Sequence, residues 1–318
     1  MRLNTFVKYV KKIKHYYSSI IEQLDTLLET NPQKYWEILG NLIHADKPDN
    51  FEISSDQWFD YYKDLNKKPI RYSLDIFNKL KELEQNKVYT ELDSIITVKE
   101  ISDAIGSLKN NKSSSFDSIL NEILKSDQTF IIEIFHQLFN SILSNGSFPK
   151  IWAKGIIVHI FKNGIKDDPA NYRGLTIGSN ICKLFTKILN IRLDKFCIKR
   201  QLIRNEQIGF SKGKRTSDHS FVLKTLIDKY CQQGSKRLFS CFVDFRSAFD
   251  TVRHEELFYK LLTSGKSDLL YNVIKHMYHN IDLCVKVDSQ HVSESFYSHI
   301  GVRHGDNLSP NLFQVIHK

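Results

Sequence analysis

The amino-acid sequence predicts an α+β fold. Most of the chain carries apolar residues at helical spacing, and a few short runs are instead built of β-branched and aromatic residues. From residue 237 on, the two kinds follow one another as strand, helices, two antiparallel strands and a helix. With 318 residues, of which 41% are hydrophobic and 25% charged, the chain can bury a sizeable core as one large domain or two smaller ones.

Two amphipathic helices open the chain. Residues 16–28 place Tyr17, Ile20, Ile21, Leu24, Leu27 and Leu28 on one face, and Asn31 before Pro32 has the form of an N-cap with proline in the first helical position. Residues 45–86 hold Pro48, Pro69 and many polar side chains with little periodicity, so a linker with short helical pieces is expected, with a boundary near Thr90. Thr97 and Glu100 form a capping box ahead of a helix whose inner face is Ile101, Ala104, Ile105 and Leu108. A helix over residues 128–144 should turn Phe135, Leu138, Phe139 and Ile142 inward and stop at Gly146.

Residues 155–161 are of strand type. Helices are expected over 179–198, from the spacing of Leu184, Phe185, Ile188, Leu189 and Leu193, and over 217–233, ending at Gly234. The apolar run 237–245 predicts a strand that leads directly into a helix from Ser247 through Leu262. A helix over 268–278 then precedes two strands, 281–287 and 293–300, joined by a turn at Asp288, Ser289 and Gln290.

Lys and Arg number 45 against 36 Asp and Glu, a net charge of +9 that favours a polyanionic partner, usually nucleic acid; a basic surface without a partner is the alternative. The five cysteines are scattered, with no C-x-x-C pair, which argues for a reducing compartment and against a zinc knuckle. The N-terminus lacks the run of roughly 7 to 15 apolar residues of a secretory signal. No apolar stretch reaches the roughly 18 residues of a spanning helix. An intracellular protein without a membrane partner is expected.

Asp244 ends the strand-type run, and alternation places it opposite Cys241, Val243 and Phe245, so a carboxylate should emerge from a buried strand where open sheets tend to bind ligands. Capping the next helix is its other possible role. Residues 242–252, from Phe242 through Asp244, Ala248, Phe249 and Asp250 to Val252, resemble motif A of LINE-type (non-LTR) reverse transcriptases, F-x-D-x-x-x-A-F-D-x-V. Gly301, Val302, His304, Gly305, Leu308, Ser309, Pro310, Leu312 and Phe313 are similar to motif B, G-V-x-Q-G-x-x-L-S-P-x-L-F, with His304 where the family has Gln. Asn171, Tyr172 and Arg173, followed by Lys183 and Lys187, resemble the N-Y-R-P-I-S segment and the lysine-bearing helix of the fingers. Residues 207–216 resemble Q-F-G-F-R-x-G-R-S-T. Residues 112–119 resemble K-S-P-G-x-D-G-I, with Ser115 and Ser118 in place of glycines, which makes a positive φ costly there. Tyr35 and Trp36 weakly resemble the segment that links endonuclease to polymerase.

The resemblance covers residues 97–318 and implies a right-hand polymerase fold. Fingers would span 91–235 and a partial palm 236–318, after a connector-like helical region over 1–90. It implies an RNA-directed DNA polymerase that uses an RNA template, a DNA primer, deoxynucleoside triphosphates and two magnesium ions held about 4 Å apart by oxygen ligands. Asp244 would bind both ions, and Phe249 would lie under the sugar and exclude a 2′-hydroxyl. Arg173 would grip the triphosphate unless it pairs with Asp167 or Asp168. His304 and Gly305 would border the nucleotide, and Asp250 would support the site or cap a helix. Lys212, Lys214 and Arg215, in a basic stripe with Lys195, Lys199, Arg200 and Arg204, would meet the template or primer backbone unless they form only a solvated face.

In the family, motif B is followed by a hairpin bearing F/Y-A-D-D and by a thumb, whereas this chain stops at Lys318 in the motif B helix. Asp244 alone is therefore expected to leave the chain inactive. The alternatives are a non-catalytic nucleic-acid-binding remnant and a two-metal nuclease using Asp244 with Asp250.

Overall fold

The computed structural model describes residues 53–67, 74–85, 90–126, 128–231, 237–265, 268–288 and 291–316, with 24, 26, 27, 30, 31, 34, 35 and 38 before them. The chain forms two compact units, Met1–Glu52 and Ile53–Lys318. In the first, Leu24, Thr26, Leu27 and Thr30 are helical, as are Lys34, Tyr35 and Ile38. Asn31 Oδ1 accepts the Lys34 amide at 3.2 Å, so Asn31 is the N-cap that the sequence predicts. The rest of the helix expected over 16–28, with Pro32 and Trp36, lies outside the described residues.

The second unit starts well before Thr90. Within the expected linker stand two helices, α1 (Ser55–Leu65) and α2 (Leu74–Glu84). Ser54 and Gln57 cap α1 reciprocally, and Trp58 and Tyr62, four residues apart, enter the common core, as does Leu80 of α2. Each helix makes about three turns, too short for its period to stand out among the polar residues and prolines around it.

Thr97 caps α3 (Val98–Gly106) as expected: its hydroxyl accepts the Glu100 amide while the Glu100 carboxylate accepts the Thr97 amide. Thr97→Ala is expected to cost about 1 kcal/mol of unfolding free energy in a urea titration. After α4 (Asn121–Ser126), α5 (Gln128–Asn145) buries Phe135, Phe139 and Ile142, whereas Leu138 lies at the rim, 36% exposed. A short α6 (Lys150–Ala153) leads into β1 (Lys154–Phe161), and α7 (Asn180–Lys199), capped by Ser179, buries Leu184, Phe185, Ile188, Leu189 and Leu193 against α3 and α5. Phe139, Trp152 and Phe185 form the aromatic centre of this core, with ring centroids 5.1 to 6.2 Å apart.

Among the described residues the sheet has four strands in the order β2-β1-β3-β4. β1 pairs antiparallel with β2 (Tyr172–Gly178), opposing His159 to Gly174, and parallel with β3 (Asp282–Val285), opposing Ile156 to Cys284. β3 pairs antiparallel with β4 (Phe296–Tyr297). The closing strand pair is therefore present but shorter than expected; among the described residues an isolated bridge between Lys286 and Val292 continues it. β2 was not expected, because its two glycines weaken the strand signal. Gly174 serves close packing: a Cβ there would come within 2.8 Å of the Tyr62 ring.

Two expectations around Asp244 fail. Residues 237–245 are not a strand; no described strand pairs with them, and Phe239, Phe242, Val243 and Phe245 are 62% to 87% exposed. Strand composition without a ladder partner leaves extended, solvated chain. Nor does a helix start at Ser247. Residues 246–251 turn, with Ser247 at φ 51°, and α9 (His254–Thr263) begins later. The helix expected over 217–233 is α8 (Thr216–Cys231), which buries no residue. α10 (Asp268–His279) and α11 (Ser309–Ile316) follow the sequence expectation.

Candidate active site

The site lies where β2, the turn after Asp244 and the Gly301–Gly305 stretch meet. Gly301 N–H donates to Val252 O at 2.7 Å and Val302 N–H to Phe249 O at 2.9 Å, so the motif A-like and motif B-like backbones are joined directly. One step on, Thr176 N–H of β2 donates to His304 O at 2.9 Å. Gly305 has φ +95° and its Cβ position is 2.9 Å from Thr176 O, a close approach that only glycine accommodates. Arg303 is buried beneath and donates to Trp152 O at 3.1 Å, which ties the turn to α6, just ahead of β1.

Above this junction opens a cavity of about 840 Å³ lined by Arg173, Asp244, Phe249, Asp250 and His304, with Lys162, Arg246, Phe210, Tyr61 and Tyr62. Four of the expected site residues, from three separated segments, thus share one space. Gly305 backs onto β2 just behind it. Lys212, Lys214 and Arg215 stand apart on the exposed loop before α8, with no ion-pair partner among the described residues.

Phe249 is half-buried, held by Phe210 at 5.7 Å, His304 at 4.9 Å and Phe313 at 4.8 Å between ring centroids. Phe210 itself has φ 61°, an uncommon conformation for a bulky residue, beside the site. His304 Nε2 lies 3.2 Å from Asp250 Oδ1, so Asp250 engages motif B and does not cap a helix; the N-cap of α9 is Arg253, without a side-chain cap. Arg173 pairs with neither Asp167 nor Asp168 and makes no ion pair among the described residues. Ser118 has φ 54°, a left-handed backbone that favours glycine, while Ser115 Oγ donates to Ile177 O of β2 at 3.2 Å.

Asp244 is exposed, on irregular chain, and makes no hydrogen bond or ion pair among the described residues. Asp250 is occupied by His304, and no cluster of three or more His, Cys, Asp or Glu side chains stands ready for a metal among the described residues. These groups do not by themselves fit a pair of magnesium ions, which need several oxygen ligands.

Tyr61 and Tyr62 do not stand out in the sequence, because their segment reads as a linker with short helical pieces; the aromatic spacing of Trp58, Tyr61 and Tyr62 was the available signal. The Tyr61 phenol is held above its ordinary pKa, first by burial and then by the carboxylates of Asp250 and Asp168.

Residues 160–318 match the family model described as reverse transcriptase (RNA-dependent DNA polymerase). The chain is 30% identical over 227 residues to the probable RNA-directed DNA polymerase from transposon BS of Drosophila melanogaster, an alignment covering 69% of this chain and 24% of that protein. It is 28% identical over 228 residues to the RNA-directed DNA polymerase from mobile element jockey of Drosophila funebris, covering 69% of this chain and 24% of the relative. The chain belongs to the reverse transcriptase family, as a domain of the non-LTR retrotransposon type. It spans about a quarter of the length of these two relatives.

Proposed function

We propose that the second unit contributes the nucleotide-binding half of an RNA-directed DNA polymerase site in a right-hand fold, with fingers over residues 91–235 and palm from 236 onward. The observation that carries this is the cavity shared by Arg173, Asp244, Phe249 and His304. Arg173, free of ion pairs among the described residues, takes the triphosphate, because its guanidinium fork matches phosphate oxygens. Phe249, wedged among three rings, lies under the sugar and leaves no room for a 2′-hydroxyl. His304 and Gly305 fix the floor of the nucleotide site against β2. Asp244 would offer one carboxylate of the oxygen set that a pair of magnesium ions needs, and no group among the described residues completes that set.

Since, among the described residues, the only other carboxylate lining the cavity beside Asp244, that of Asp250, is engaged by His304, the 318-residue polypeptide should bind nucleotide and RNA without extending a primer. Primer extension by the purified chain, lost in Asp244→Ala, would overturn this. Lys212, Lys214 and Arg215 supply contacts to the template or primer backbone. Filter binding of a primer-template across a salt series should show a steep slope, reduced by roughly 2 to 3 when all three are changed to alanine. Asp244→Ala should leave that binding unchanged, a result that a purely nucleic-acid-binding role shares. Nucleotide binding lost in Arg173→Ala distinguishes the polymerase site from such a remnant.

A further inference from the structure

One wall of the cavity comes from α1, which precedes the 160–318 stretch matched to the family. This helix is anchored at both ends. Trp58 stacks on His159 of β1, centroids 4.0 Å apart, and meets Tyr172 of β2 edge-on at 4.9 Å. At the other end Asn66 accepts the Ser298 hydroxyl on Oδ1 at 2.7 Å and the His299 amide on its carbonyl at 3.1 Å. Between the anchors Tyr62 is buried against Gly174, and Tyr61, packed edge-on to it at 5.1 Å, faces the cavity. A helix fixed this way presents Tyr61 on a rigid support.

Tyr61 is half-buried, and its hydroxyl has no hydrogen-bond partner among the described residues. Lys162, Arg173 and Arg246 line the same cavity, and none of them is in an ion pair among the described residues, so the space suits a polyanion. With an ordinary pKa of 10.0, raised further by burial and then by Asp250 and Asp168, the phenol is protonated at neutral pH with or without these neighbours, and so is a donor. We propose that Tyr61 is a substrate-contacting residue: its hydroxyl donates to an oxygen of the phosphate chain of a nucleoside triphosphate held by Arg173. This rests on the polymerase-site assignment above and extends that site to a helix outside the matched region.

The test is equilibrium dialysis of dATP with the 318-residue chain, with thermal melting as a parallel readout. Tyr61→Phe should weaken dATP binding by about tenfold, the scale of one hydrogen bond to a charged acceptor, and leave the melting midpoint in place. If Arg173→Ala weakens binding while Tyr61→Phe binds like wild type, the Tyr61 contact is wrong and the polymerase site stands. A lower melting midpoint with unchanged affinity also overturns the proposal, since it would make Tyr61 a latch to Asp168 or Asp250. If the wild-type chain binds no dATP, the polymerase-site assignment fails and Tyr61 fails with it.

Discussion

Arg192→Ala is expected to lower the unfolding free energy by about 3–5 kcal/mol, the cost of stranding a partly buried charge. Arg192 is 8% exposed on α7 and grips Glu100 through two parallel bonds, Nε to Oε1 at 2.7 Å and Nη2 to Oε2 at 2.8 Å. The same guanidinium donates to the carbonyls of Ser94 at 2.5 Å and Ile95 at 2.9 Å. Its removal therefore unpairs a carboxylate and two carbonyls at once and loosens the chain entering α3. Burial alone would raise the Glu100 pKa, but Arg192 and the Thr97 amide outweigh it and hold the carboxyl down at about 2. A depressed carboxylate stabilises the fold above its ordinary pKa of 4.5, and that contribution is lost as pH falls from there towards about 2. Urea titrations between pH 7 and pH 3 should show the wild type losing stability over the acid range and Arg192→Ala losing less. An equal slope in both proteins would contradict this role.

Gly305→Ala should cost about 2–4 kcal/mol, from a positive φ forced on an L-residue and a Cβ driven into Thr176 O. That carbonyl belongs to β2 backbone, which cannot swing aside as a long side chain could. Relief requires the Thr176 to His304 hydrogen bond to lengthen, which moves His304 and Phe249 together. On the assignment proposed above, dATP affinity should drop more than tenfold in a variant that still folds. A Gly305→Ala protein with wild-type melting and wild-type affinity would show that the turn tolerates the displacement.

Much of this architecture is legible in the sequence because single residues announce it. Thr97 with Glu100 and Asn31 mark helix starts that the backbone then uses, and Gly301 and Gly305 mark the turn that meets Asp250 and Thr176. The misreadings share one cause. Whether residues 237–245 form a strand depends on a partner across the ladder, and whether the short helical pieces expected over 45–86 pack into the domain as α1 and α2 depends on the sheet face and core that receive Trp58, Tyr62 and Leu80. Such tertiary receipt is invisible to local spacing. For the same reason the motif strings single out Arg173, Phe249 and His304, which line one cavity, but give no sign of Tyr61, which reaches it from a helix more than one hundred residues upstream.

The parallel pairing of β1 with β3 has a kinetic side. Lys154 meets Asp282 and Ile157 meets Val285, so β1 has no neighbour on that edge until well over a hundred further residues have left the ribosome. Contacts of such high sequence separation close slowly. Helices α3 to α7, rich in short-range contacts, can condense first, and the cavity takes shape only when the late strand docks. Translation therefore leaves an interval in which a hydrophobic β1 edge awaits its mate, the stage at which a nascent chain of this topology is most exposed to mispairing and to chaperone capture.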